Sequence, residues 1–486
     1  MDRTPPTVTT SLGALRGAWD DELAVFRGIQ YAEPPVSALH LQAPVPACRR
    51  WDGVRGATAF GPPPPQSAPW GSETAADPNW LTLTVWTPDP GAGGLPVLVW
   101  IHGGAYVLGH SGDPLFDAAA LARRGLVVVS PNYRLGVEGF VEADGAPSNR
   151  GLLDQLAALR WVQENVAAFG GDPGRVTVAG ESAGGGSVAA LTAARPAKGL
   201  FTRAIAASPP AGFQTRELAV ELGRVFRDRV TAGRLADVAP AELAEAYSAF
   251  SAELPRLPAG WGLAGRLVSL GPAVDREVVE DVPWRALADG RASDVGLLVT
   301  HTRDEARLFV SINQQLDGRP RADLSALAPS SIVDEYRRTW PDAAPDRLYE
   351  TLYSDVLVRM PAVHLAEAHA SSGGRTFVGE VTVESPTLGA CHGIDVPLVF
   401  GTYTTAQARM LLGGTPSDAI RAAGDELRRV WTDFALYGDP GWPAFTGSGG
   451  STRLLGTDDP EVVPYPEQRS RALWSVHDLG PFRPEA

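Results

Sequence analysis

Lys198 is the only lysine in the chain; arginine supplies the rest of the basic charge. That scarcity excludes a P-loop Gly-Lys, a Ser-x-x-Lys dyad and, in practice, Schiff-base chemistry. There are 2 cysteines, Cys48 and Cys391, too far apart in sequence for metal-ligand spacing or a disulfide framework. They read as two free, buried thiols. Long apolar runs are also missing: the stretch 95–101 is strand-length, well short of the roughly 18 residues a membrane span needs. The first residues, Met1-Asp2-Arg3-Thr4-Pro5-Pro6, contain no apolar signal core, which points to the cytoplasm. A formal charge of −14 sets the surface against nucleic acid, whose phosphates it would repel. No internal repeat is apparent.

What is present is organised around Gly180-Glu181-Ser182-Ala183-Gly184. This is G-x-S-x-G, with an apolar strand pattern at 176–179 before it and a small-residue helical pattern at 185–191 after it. A sharp strand-to-helix turn of this kind holds a serine in a strained conformation with its hydroxyl raised from the sheet edge. From residue 81 onward, strand patterns (81–86, 97–101, 127–130, 176–179, 295–300, 376–381) alternate with helical ones (154–167, 361–370, 422–437). That alternation predicts a mainly parallel sheet covered by helices on both faces, in one domain over 1–486. Residues 215–255 form a helix-rich insertion, with Leu218, Leu222, Val225 and Phe226 at helical spacing. It is either ordinary packing on the sheet or a cap over the site.

A serine nucleophile for acyl transfer needs a base, an orienting acid and an oxyanion hole. His102-Gly103-Gly104-Ala105 follows the strand at 97–101, and the amides of Gly103 and Gly104 can face a site unobstructed by side chains. The Ala183 amide, next after the serine, is a third donor; each such donor is typically worth about 3–4 kcal/mol to a tetrahedral oxyanion. Of the 8 histidines, His392 in Gly389-Ala390-Cys391-His392-Gly393 fits the base: it lies in a loop, after the candidate acids. His364 and His369 fall in a helical pattern and read as surface or packing residues. For the acid, Asp304 and Glu305 both follow the strand at 295–300, and either could accept the Nδ1–H of the histidine. Tyr106, Trp70, Phe213, Trp261 and Phe309 are candidate walls of a substrate pocket.

With these residues in place, the chain resembles the type-B carboxylesterases, the carboxylesterase/cholinesterase family of α/β-hydrolases. Phe26-Arg27-Gly28-Ile29-Gln30-Tyr31-Ala32-Glu33-Pro34-Pro35 is similar to the family's F-x-G-I-P-Y-A-x-P-P, and the run from Phe169 through Gly184 matches its serine signature. The resemblance implies an α/β-hydrolase fold with helical insertions over the site. It also implies Ser182 as nucleophile. Thr302-Arg303-Asp304-Glu305-Ala306 resembles the acid motif T-x-x-D-E-G, in which the glutamate serves; this selects Glu305. The histidine loop G-A-x-H-G, followed by an apolar strand, is matched at 389–393 and 396–400 and implies His392 as base. Ser208 sits where relatives place a serine that buttresses the acid, although Pro209 replaces the usual glycine. Pro65 and Trp80 stand where relatives often carry a bridging cysteine pair, a joint loss that suits a reducing compartment. The loop at 66–79 is then held by packing alone.

The implied activity is hydrolysis of small-molecule carboxylic esters through an acyl-enzyme on Ser182, with no metal or organic cofactor. Amide or carbamate hydrolysis by the same residues is the alternative. A non-catalytic binding protein of the same fold is disfavoured by the complete triad and oxyanion loop. Oligomeric state is not legible in the sequence.

Overall fold

A computed structural model describes residues 3–66, 77–230, 233–253, 270–317, 323–447, 450–456 and 461–483. Trp70 and Trp261, and most of the 66–79 loop, lie outside them.

Strands of the N-terminal part are β1 (Thr7–Thr9), β2 (Ala14–Arg16), β3 (Ala18–Asp20), β4 (Leu23–Gln30) and β5 (Val54–Gly56). The later strands are β6 (Thr82–Thr87), β7 (Leu95–Ile101), β8 (Val127–Pro131), β9 (Gly171–Glu181) and β10 (Arg203–Ala207). Last come β11 (Gly296–Thr302), β12 (Thr376–Val381), β13 (Ser451–Leu455) and β14 (Val462–Pro464). A small sheet joins β1, β2 and β5; the large one runs β14-β13-β12-β11-β10-β9-β7-β8-β6-β4-β3. From β8 to β13 every neighbouring pair is parallel. Antiparallel partners close it at each end.

The central strands read as continuous apolar runs because both of their faces are buried. In β7, Val97, Val99 and Ile101 join one hydrophobic core, while Leu98 and Trp100 join the other on the opposite side. β9 divides likewise, Val176 and Val178 on one side and Ala179 on the other. Around the sheet lie the helices Arg150–Asn165, Ala183–Ala193, Met360–Ser371 and Asp418–Tyr437. The described residues of the insertion include the α-helices Arg216–Arg227 and Pro240–Glu253. Leu218, Leu222 and Phe226 of the first are buried, as their spacing predicts.

Two expectations are corrected. Residues 396–400, read as a strand, belong to the helix Asp395–Phe400. Gly401 ends that helix at φ +71°, and the Arg428 guanidinium donates to the carbonyls of Leu398 and Val399. So short an apolar run carries no period that separates a buried strand from a buried helix. The cysteines are both free, but only Cys391 is buried; Cys48 is exposed in the N-terminal segment.

Candidate active site

Five parallel strands deliver the site from their C-terminal ends, the edge at which open α/β sheets place their ligands. β9 ends at Glu181, and Ser182 follows with φ +56° and ψ −124°, a conformation few non-glycine residues adopt. The turn is held by hydrogen bonds from the Ser182 amide to the Ala207 carbonyl (3.0 Å) and from the Gly186 amide to the Ser182 carbonyl (2.8 Å). Glycine is required at 184 because a Cβ there would lie 2.0 Å from the Ile101 carbonyl oxygen. The helix therefore packs close against β7. Ser182 itself stays partly accessible while its neighbours are buried.

β7 leads into the glycine loop. A Cβ on Gly103 would stand 3.2 Å from the Ser182 Cβ, so the loop and the serine adjoin. Gly104 has φ +113°, and its carbonyl accepts from the amides of Val107 (3.0 Å) and Leu108 (3.1 Å), curling the chain back. Among the described residues, the Gly103 and Gly104 amides donate to no protein acceptor. The His102 ring is stacked on Tyr133, whose hydroxyl donates to the His102 carbonyl at 2.8 Å. Burial drives the His102 pKa down to about 4, so this histidine is neutral and holds the loop through its Nδ1–Gly103 carbonyl contact of 2.8 Å. Ala183 opens the helix Ala183–Ala193.

After β11, Glu305 is fully buried, and its Oε2 lies 2.5 Å from Nδ1 of His392. The other carboxylate oxygen accepts from the Ser208 hydroxyl and the Thr302 amide, both at 2.7 Å. Ser208, at the end of β10, makes this bond in spite of Pro209. Burial would raise the Glu305 pKa, but His392, Ser208 and Thr302 together hold it below the ordinary carboxylate value.

Two carboxylates not singled out in the sequence complete the surroundings. Nε2 of His392 lies 3.2 Å from Oε1 of Glu181, and neither atom makes a hydrogen bond among the described residues. Asp395, buried three residues beyond the histidine, acts on the same imidazole. Burial opposes charge on His392, yet Glu181 and Glu305 outweigh it and push its pKa up to about 9. Burial, reinforced by Asp395 and Glu305, raises Glu181 to about 8. Asp395 is pushed up to about 6 by burial and by Glu305. A charged residue directly after the run Val176-Thr177-Val178-Ala179-Gly180 of β9, next to the serine, was the available signal for Glu181.

The aromatic candidates separate. Phe309, in the helix Ala306–Asp317, has its ring centroid 5.0 Å from that of His392. Tyr106 and Phe213 are each 1% exposed and sit in the core, against Phe140 and Trp284 respectively. His369, also buried, binds Thr376 and the Ala292 carbonyl as a packing residue.

A strained serine, a glycine loop with free amides and a buried carboxylate–imidazole pair at one sheet edge define the α/β-hydrolase fold equipped for acyl transfer. The sequence profile of the carboxylesterase family matches residues 4–453, and the chain belongs to that family. It is 32% identical to the para-nitrobenzyl esterase of Bacillus subtilis, over 94% of this chain and 97% of that protein. A solved thermophilic para-nitrobenzyl esterase superposes with a TM-score of 0.84 at 32% identity, covering 97% of this chain and 100% of its own. A Geobacillus stearothermophilus carboxylesterase gives 0.83 at 31% identity, covering 96% and 99%. The protein is a serine carboxylesterase, a carboxylic-ester hydrolase; the comparisons do not favour amide or carbamate hydrolysis over it. Among the described residues, no helix is long and apolar enough to cross a membrane.

Proposed function

We propose that Ser182, His392 and Glu305 carry this hydrolysis. The Ser182 hydroxyl attacks the ester carbonyl carbon as His392 Nε2 takes its proton, and Glu305 accepts the Nδ1–H and stabilises the imidazolium. The amides of Gly103, Gly104 and Ala183 hold the tetrahedral oxyanion. Return of the proton from His392 to the alkoxide oxygen releases the alcohol. Water, deprotonated by the same imidazole, then hydrolyses the acyl-enzyme. The observation that carries this reading is the buried 2.5 Å contact between Glu305 and His392, which fixes the imidazole tautomer.

The substrate in this reading is a small-molecule ester with an aromatic alcohol. Support comes from the name of the para-nitrobenzyl esterase relative and from Phe309 beside the imidazole. Tyr106 and Phe213 are proposed to back the pocket wall. The chain is read as a single domain over 1–486. The helices Arg216–Arg227 and Pro240–Glu253 are read as a cap, since Leu243, Ala244 and Tyr247 of the second line a small cavity together with Val107, just beyond the glycine loop. The enzyme is assigned to the cytoplasm.

The test is initial rates on p-nitrophenyl acetate, butyrate and decanoate and on a para-nitrobenzyl ester, with Ser182→Ala as blank. Loss of turnover in the variant, with the para-nitrobenzyl ester among the better substrates, is expected. Equal rates in wild type and variant would remove Ser182 from the mechanism, and preference for decanoate would replace the aromatic-ester reading with a long-chain one.

A further inference from the structure

The ladder between β11 and β12 ends at Thr302 and Val381, after which the two chains part. The segment after β12 loops away and folds back through mutual backbone hydrogen bonds between Ser385 and Gly389. It meets the acid turn again at one point only among the described parallel bridges, Asp304 with Cys391. There the Asp304 amide donates to the Ala390 carbonyl at 2.9 Å, and the Ala390 amide donates to Asp304 Oδ2 at 3.2 Å. Asp304 thus grips both polar groups of Ala390, using its own backbone and side chain. Glu305 is the next residue on one side of this clasp; His392 is two residues on from the other.

We propose that Asp304 is a positioning residue for ester hydrolysis: by clasping Ala390 it sets the distance between the Glu305 carboxylate and the His392 imidazole. The proposal rests on the reading in which those two side chains act as acid and base.

The clasp is braced from outside. The Asp304 side chain is 1% exposed and faces three guanidinium groups, Arg303 at 3.1 Å, Arg307 at 3.3 Å and Arg347 at 3.4 Å. Burial would raise its pKa, but Arg303 and Arg307, with the Ala390 amide, keep the carboxyl below its ordinary value and favour the ionised acceptor. Arg307 and Arg347 are in turn tied to Glu350, Arg303 to Glu384. Gly389 leaves room for the Arg307 guanidinium beside Asp304: a Cβ there would stand 2.0 Å from its Nη1. The Arg303 carbonyl accepts from Arg359 at 3.1 Å, and the Ala306 amide donates to Ser354 at 3.0 Å, so both flanks of the acid are pinned. Among the described residues, Asp304 is the one side chain of the acid turn that hydrogen-bonds the backbone of residues 385–393. A contact of 2.5 Å tolerates little drift, and misplacement by about 1 Å can cost roughly 100-fold in rate.

The experiment measures kcat, KM and the pH profile of kcat/KM on p-nitrophenyl butyrate for wild type, Asp304→Ala, Asp304→Asn and Glu305→Gln, each checked for cooperative thermal unfolding. Asp304→Ala is expected to lose about 10- to 100-fold in kcat with KM within about twofold. Its acid limb should move to lower pH. The imidazole, though still facing Glu181 and Asp395, would be less firmly held against the carboxylate of Glu305 that favours its protonated form. Asparagine keeps an acceptor for the Ala390 amide, so Asp304→Asn is expected within about threefold of wild-type kcat, its limb unmoved. Should the alanine variant not fold, Asp304→Ser, polar but too short to reach that amide, is read in its place. Wild-type kcat and limb in the alanine or serine variant would overturn the proposal. So would equal loss in the alanine and asparagine variants with unmoved limbs, which marks a merely structural role. If Glu305→Gln were as active as wild type, the acid–base reading itself would fall; if it is slow while Asp304→Ala is not, only the positioning role falls.

Discussion

Nε2 of His392 lies 3.2 Å from Oε1 of Glu181, the residue immediately before the serine it is proposed to deprotonate. The imidazole therefore stands between two glutamates, Glu305 on Nδ1 and Glu181 on Nε2. Burial opposes its protonation, and these carboxylates more than compensate, raising the pKa to about 9. Only the neutral imidazole can take a proton, so kcat/KM should rise with pH up to that value. Glu181→Gln removes one of the carboxylates that favour the imidazolium, lowers the histidine pKa and should shift the acid limb to lower pH. A pH-rate profile of the variant superimposable on wild type would show that Glu181 does not act on His392.

Ser208→Ala should lower kcat about tenfold while leaving KM nearly unchanged, as expected when a hydrogen bond to a charged group worth roughly 1.5 kcal/mol is lost. Among the described residues, the 2.7 Å bond to Glu305 is the only buttress on that oxygen besides the Thr302 amide. Steady-state kinetics on a p-nitrophenyl ester decide it; undiminished kcat would assign the buttress to Thr302 alone.

Arg134 and Asp154 are both wholly buried and share a two-pronged ion pair, with bonds of 2.8 and 2.7 Å. Arg134→Met leaves an uncompensated buried carboxylate and should cost about 3–5 kcal/mol in urea unfolding. The double replacement Arg134→Met with Asp154→Leu should recover much of that loss. A double variant no more stable than the single one would mean that other bonds of Arg134, such as that to the Gln42 carbonyl, dominate.

The two thiols should react at very different rates with a thiol-specific disulfide reagent. Cys48 is exposed, whereas burial pushes the Cys391 thiol pKa up to about 12 and leaves almost no thiolate at neutral pH. One thiol per native chain is expected to titrate, and two after denaturation. Rapid reaction of both in the native enzyme would show that the histidine loop opens.

Much of this protein is legible in one dimension. G-x-S-x-G between an apolar strand and a small-residue helix specifies the elbow locally, because only glycine fits the close approach of helix to strand at Gly184. Apolar runs alternating with helical periods specify a parallel sheet, since burial on both faces leaves its mark on every strand. The chain order of serine, acid and histidine follows from that sheet. Tertiary structure alone decided the rest. Whether 395–400 is helix or strand depended on what Arg428 and Gly401 meet, and whether a cysteine is buried depended on its surroundings. Local sequence physics left Asp304 and Glu305 equivalent. Their neighbours separate them, the one beside an imidazole and the other beneath three guanidinium groups. Electrostatic environment is set by residues distant in sequence, so Glu181 and Asp395 joined Glu305 around His392 only once the strands had brought them to one edge.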